Sequence, residues 1–142
     1  MESALGSHLQ TKFGLIPSSD LQAVEFVLLY FSAHWCGPCR AFTPRLTEFY
    51  KEVNARQQKL EVVFVSLDRD ESGFATYYEE MPWLAVPYSS AQLRQQLNAG
   101  SGVSGIPKLL LVRKNGTVAS EGCRSDVEKV GPQALERWRS VL

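Results

Sequence analysis

The chain has 142 residues, with 15 basic and 15 acidic side chains, so its formal net charge is zero. That balance offers no electrostatic case for nucleic acid or a membrane surface. The length suits one domain with a real core, and 44% apolar with 21% charged residues is ordinary for a soluble globular protein.

No apolar run approaches the roughly 20 residues of a membrane span. The start, Met1-Glu2-Ser3-Ala4, lacks the basic and apolar regions of a secretory signal. Three cysteines, one without an evident partner, fit a reducing compartment. The expected place is the cytoplasm, with the nucleus as the alternative.

In chain order, residues 10–16 are expected to form an edge strand or hairpin before the turn cluster Pro17-Ser18-Ser19-Asp20. Glu25–Ser32 reads as a strand covered on both faces, because it is almost continuously apolar. A helix over residues 37–57 follows, with Phe42, Leu46, Phe49, Tyr50 and Val53 on one face. Pro44 lies inside it and removes one ladder bond. Glu61–Leu67 is a second buried strand, and strand, helix, strand implies a parallel pair joined by a right-handed crossover.

The segment Asp68–Asp70 caps a helix over residues 71–81, with Phe74, Tyr77, Tyr78 and Met81 inward. Ser89-Ser90-Ala91-Gln92 reads as a capping box for a short helix to Asn98 with Leu93 and Leu97 inward. Lys108–Arg113 is the next strand, and Asn115-Gly116 predicts a two-residue hairpin loop returning antiparallel through 117–121. Gly131-Pro132 opens a last helix carrying Leu135, Trp138 and Leu142. The sum is an α/β protein, a mixed central sheet with helices on both faces, over residues 1–142.

The chemistry concentrates at Trp35-Cys36-Gly37-Pro38-Cys39. These residues stand where a buried strand ends and a helix begins. A helix start carries unpaired N–H groups and partial positive charge, which favours a thiolate. Gly37 permits close backbone approach, and Pro38 suits the first helical turn. Cys36 is therefore the attacking thiolate, and Cys39, one turn further in, resolves the mixed disulfide. A purely structural disulfide would close too short a loop to stabilise much. A zinc site would need further ligands, and only Cys123, His34 and His8 remain, at irregular spacing. Nothing in the sequence asks for a metal or an organic cofactor.

Trp35-Cys36-Gly37-Pro38-Cys39, with Pro44 five residues on and Ile106-Pro107 before a strand, resembles the thioredoxin superfamily. Tyr30-Phe31-Ser32-Ala33-His34-Trp35-Cys36, Phe42-Thr43-Pro44, Tyr77-Tyr78 and Met81-Pro82-Trp83-Leu84-Ala85-Val86-Pro87 resemble its tryparedoxin and nucleoredoxin branch. Tyr30 stands where thioredoxin carries a buried acid. Two departures are plain. Gly37-Pro38 replaces the branch's usual Pro-Pro, and Ser104 stands where tryparedoxins carry an acid.

The resemblance implies a thioredoxin fold and a thiol–disulfide oxidoreductase that reduces protein disulfides, peroxiredoxin-type peroxidases among them. Electrons would come from a low-molecular-weight thiol or a reductase, and the protein would act as a monomer. It further implies a cis Pro107 covering the dithiol and an Ile106 backbone that pairs with substrate. Trp35 and Trp83 become expected walls of the substrate surface, and Arg124 an expected contact for an acidic substrate group. The alternative is a nucleoredoxin-like binding module that answers to the redox state of Cys36 and Cys39 with little turnover.

Overall fold

A computed structural model describes residues 1–102 and 104–142. A helical turn, α1 (Glu2–Leu5), precedes the hairpin β1 (His8–Thr11) and β2 (Gly14–Pro17). After a 3-10 turn come β3 (Phe26–Ser32), α2 (Gly37–Val53), β4 (Leu60–Ser66), α3 (Glu71–Tyr78) and β5 (Leu84–Ala85). Then follow α4 (Ala91–Gly100), β6 (Lys108–Val112), β7 (Val118–Ser120), α5 (Cys123–Lys129) and α6 (Ala134–Val141).

Among the described residues one seven-stranded sheet runs β2-β1-β5-β4-β3-β6-β7. The centre is parallel, with β3 on β4 and β4 on β5, while β1 and β6 join it antiparallel. Every residue of β3 and β4 is buried, as their near-continuous apolar runs require, Glu61 of β4 included. Alternate residues serve opposite faces. Phe26, Leu28 and Tyr30 pack with Phe42, Leu46 and Phe49 of α2 and with Trp138. Val27, Leu29 and Phe31 pack with Leu5 and Leu110, and Leu93 and Leu97 of α4 close over them.

Several boundaries differ from the sequence expectation, each for a local reason. Helix α2 ends at Val53, because Asn54 turns its side chain to the next strand. Its Oδ1 accepts from the Lys59 and Leu60 N–H groups, and its Nδ2 donates to the Leu60 carbonyl. Helix α3 is regular only to Tyr78, and Met81 reaches the core through a following turn. No capping box forms at α4: Ser90 is the N-cap, but its side chain makes no capping bond, and the helix runs on to Gly100.

Between β6 and β7, Arg113 and Thr117 close a loop of three residues, Lys114–Gly116, rather than two. Arg113 N–H donates to Thr117 O, Gly116 N–H donates to Arg113 O, and Gly116 takes φ 93°. A glycine in the left-handed region after a tight turn marks the three-residue hairpin with a bulge.

Besides α1 and the 3-10 turn, two elements had no sequence expectation. Strand β5 is only two residues long, yet it joins the N-terminal hairpin to the parallel centre. Helix α5 buries Cys123, Asp126 and Val127. Asp126 is its anchor, accepting from Arg137 Nη1 and Trp138 Nε1, each at 2.8 Å.

Candidate functional site

Parallel strands β3 and β4 end level with each other, Ser32 beside Ser66, so the loops that leave them meet at one edge. The carboxyl ends of parallel strands are where α/β sheets place their sites. The first loop carries Ala33, His34 and Trp35; the second carries Leu67, Asp68 and Arg69.

Three hydrogen bonds lock the loops together, and a fourth braces Asp68 within the second. Leu67 N–H donates to Ser32 O at 2.9 Å, and Trp35 Nε1 donates to Leu67 O at 3.2 Å. His34 N–H donates to Asp68 Oδ1 at 2.7 Å, and Ser66 Oγ donates to Asp68 Oδ2 at 2.7 Å. Asp68 is buried and spends its carboxylate on this clasp. The sequence suggested only a helix cap there, and Asp70 supplies that, accepting from Gly73 N–H at 2.7 Å.

Cys36 is the N-cap of α2, and its sulfur accepts from Cys39 N–H at 3.3 Å. A sulfur held on an orphan N–H at a helix start is where negative charge is best tolerated. Gly37 and Pro38 form the first helical positions without crowding it. Cys36 and Cys39 form a disulfide, with Cα atoms 5.2 Å apart. Cys36 is 8% exposed and Cys39 fully buried.

The peptide bond Ile106–Pro107 is cis, and the Ile106 carbonyl oxygen lies 3.8 Å from Cys36 Sγ. Pro107 itself is buried, while Ile106 is half-buried against the cysteines. Trp35, Leu67, Asn98, Ser104, Gly105 and Ile106 line a cleft of about 250 Å³ beside this carbonyl. A second cleft of about 460 Å³, on the other flank of α2, takes in His34, Arg40, Thr43, Glu48, Lys51 and Tyr77 among its lining residues.

Beneath Cys39 lies a cluster of buried hydroxyls. Tyr30 OH meets Thr43 Oγ1 at 2.7 Å, Thr43 Oγ1 meets Tyr77 OH at 2.6 Å, and Tyr77 OH meets Ser32 Oγ at 2.6 Å. Thr43 Oγ1 also donates to the Cys39 carbonyl at 3.0 Å. Burial, with Tyr77 close by, pushes the Tyr30 phenol well above its ordinary range, so Tyr30 is a hydroxyl and not an anion here. Sequence periodicity marked Tyr77 as core but said nothing of this cluster, because the partners come from β3, α2 and α3.

Of the residues expected at the site, Trp35, Cys36, Gly37, Pro38, Cys39, Ile106 and Pro107 come together. Trp35 is half exposed, with the Arg69 guanidinium carbon 4.9 Å from its ring centre. Trp83 corrects the expectation. It is 2% exposed and packs edge-on to Tyr30 and Tyr50, so it is a core residue and no wall of the substrate surface. Arg124 lies on α5, bonded to Glu128 at 3.2 Å and poised over Phe42. No described contact joins it to the cysteines.

Cys123 is fully buried, and burial pushes its thiol up to about 11. At pH 8 its thiolate fraction is about a thousandth. After reduction of the protein, alkylation at pH 8 should therefore label Cys36 rapidly and leave Cys123 intact until unfolding. Peptide mass analysis reads this directly, and native labelling of Cys123 at the rate of Cys36 would contradict it. Among the described residues no cluster of His, Cys, Asp and Glu has the makings of a metal site. No described helix is long and apolar enough to cross a membrane.

The family described as Thioredoxin-like matches residues 25–118. Nucleoredoxin from Danio rerio is 46% identical over 129 residues, covering 88% of this chain but only 31% of that protein. The chain thus spans under a third of its nucleoredoxin relatives. Tryparedoxin from Trypanosoma brucei brucei is 42% identical over 106 residues, covering 75% of this chain and 72% of the relative. The crystal structure of tryparedoxin I from Crithidia fasciculata superposes with a TM-score of 0.83, at 38% identity and 90% coverage of both chains. The fold is therefore the thioredoxin fold, as the sequence led us to expect.

Proposed function

The chain belongs to the thioredoxin-like family, in its nucleoredoxin and tryparedoxin branch, and from that premise we propose that it reduces protein disulfides. The observation that carries this reading is the asymmetry of the pair: Cys36 reaches the surface at a helix N-terminus, and Cys39 is sealed behind it.

The cycle follows from that asymmetry. With the pair reduced, the Cys36 thiolate attacks one sulfur of a substrate disulfide. A mixed disulfide forms at Cys36, and the other substrate sulfur leaves as thiolate. Cys39 then attacks Cys36 Sγ, the Cys36–Cys39 bond forms, and the second substrate sulfur departs. The proton lost by Cys39 ends on the departing sulfur. Two electrons have passed to the substrate, and a thiol donor or a reductase returns them.

The Ile106 carbonyl, beside Cys36, offers a backbone acceptor to a substrate strand, a contact tolerant of sequence. Trp35 walls the same cleft. Pro107, buried at the cis bond, holds that loop against the dithiol. Peroxiredoxin-type peroxidases are suitable substrates, since their catalytic cycle leaves a protein disulfide.

Cys39→Ser tests the reading. This variant keeps the attacking thiol but cannot release what it captures, so substrates should accumulate as mixed disulfides on Cys36 that dissolve under dithiothreitol. A variant that gathers partners only non-covalently would replace this reading with a redox-responsive binding module.

A further inference from the structure

The cleft beside the dithiol is uncharged, with a cation at its rim. The cleft beside Cys36 is lined by Trp35, Leu67, Asn98, Ser104, Gly105 and Ile106, none of which is ionisable. Arg69 lies against the Trp35 ring at its rim, exposed to solvent. Arg40, one residue past Cys39, is exposed as well.

Among the described residues the ion pairs use Arg45, Arg124, Arg137 and Arg139, and neither Arg40 nor Arg69 takes part. Of the acids nearest in sequence, Asp68 is buried and bonded to His34 N–H and Ser66, while Asp70, which caps α3, and Glu71, in its first turn, are exposed with no described ion pair to Arg69. Glu48 and Glu80 line the other cleft together with Arg40 and Lys51.

We propose that Arg69, stacked on Trp35, selects disulfides flanked by carboxylates, making this face an acceptor for acidic substrate segments. The inference rests on the disulfide-reductase reading and adds its substrate class. The tryptophan is held by Leu67 O on one edge, and the guanidinium lies over its ring, so Arg69 sits at the rim of the cleft that Trp35 walls. Stacking on an aromatic face leaves the in-plane N–H fork of an arginine free for a carboxylate. The other family of substrates, those flanked by lysine, meets the Arg69 cation at the rim and no carboxylate in the lining of the cleft.

The test uses three disulfide-linked peptides, identical except for Glu, Gly or Lys beside the cysteine, together with oxidised glutathione. In low salt the wild-type protein should reduce the Glu peptide about three- to tenfold faster, in kcat/KM, than the Lys peptide. The ratio should shrink toward one as the salt rises to about 0.5 M, and Arg69→Glu should invert it. Arg69→Lys keeps the charge without the fork and should fall between.

The Gly peptide supplies an internal reference in each variant, so loss of folded protein cannot imitate a changed ratio. A preference shown by the peptides assigns the site to protein segments. A response to Arg69→Glu by glutathione disulfide alone assigns it to a small acidic thiol; both fit the carboxylate chemistry. An equal Glu-to-Lys ratio in wild type and Arg69→Glu, with glutathione disulfide equally indifferent to the change, overturns the inference and leaves the reductase reading standing. Failure of the wild type to reduce even the Gly peptide overturns both.

Discussion

Cys36→Ser is expected to bring disulfide reduction down to the rate of the reductant alone, a loss of about three orders of magnitude or more. A serine hydroxyl at the same N-cap would still accept from Cys39 N–H, so the helix start should survive. What disappears is the nucleophile, because no serine is ionised to a useful extent near neutrality. Cys39 cannot stand in: it is fully buried, and its backbone carbonyl is tied down by Thr43. Cys123 is also buried, on α5, with its thiol held protonated. Insulin or peroxiredoxin reduction, followed with wild type and variant at equal concentration, measures the loss. Activity retained by Cys36→Ser would mean that the attacking group is elsewhere and would sink the proposed cycle. The remedy of raising the pH should not restore it, since the serine hydroxyl stays neutral throughout the range in which the fold persists.

Much of this arrangement was legible in the residues, and the reason is that it is local. The runs at Phe26–Ser32 and Leu60–Ser66 can be nothing but covered strands, and the dithiol directly after the first must then lie at a helix start. The features that escaped depend on distant partners. Strand β5 is two residues with no period to detect, and it is defined by its partners on either side, β4 and β1. Helix α5 is short, and its buried Asp126 looks like a surface residue until Arg137 and Trp138 arrive to bond it. Trp83 was expected at the substrate surface from the family resemblance, but Tyr30 and Tyr50 pack edge-on against it in the core. Asp68 read as a cap and is a clasp, since the backbone N–H it accepts lies on the loop that carries the dithiol.

Thr43→Val should be the costliest conservative change at the site, because Thr43 is the hub of the hydroxyl cluster. The protons can be placed without a gap. Ser32 gives to Tyr77, Tyr77 and Tyr30 give to Thr43, and Thr43 gives to the Cys39 carbonyl. Valine has the same shape and the same β-branch, so helix propensity and packing barely change. It removes the acceptor for two buried phenols. Tyr30 keeps only a 3.4 Å contact with the Cys39 carbonyl, and Tyr77 must turn back on Ser32. An orphaned buried polar group costs about 1–3 kcal/mol, so Thr43→Val should lower the unfolding free energy by about 2–3 kcal/mol. Thr43→Ser, which keeps the hydroxyl and loses one methyl, should cost about 1 kcal/mol. Urea unfolding ranks the two. A hydrophobic account of the site predicts the reverse order, and valine equal to or better than serine would show that the cluster contributes nothing. A double-mutant cycle with Tyr77→Phe isolates the bond itself: with the Tyr77 hydroxyl already gone, Thr43→Val has one fewer proton to strand and should cost about 1 kcal/mol less.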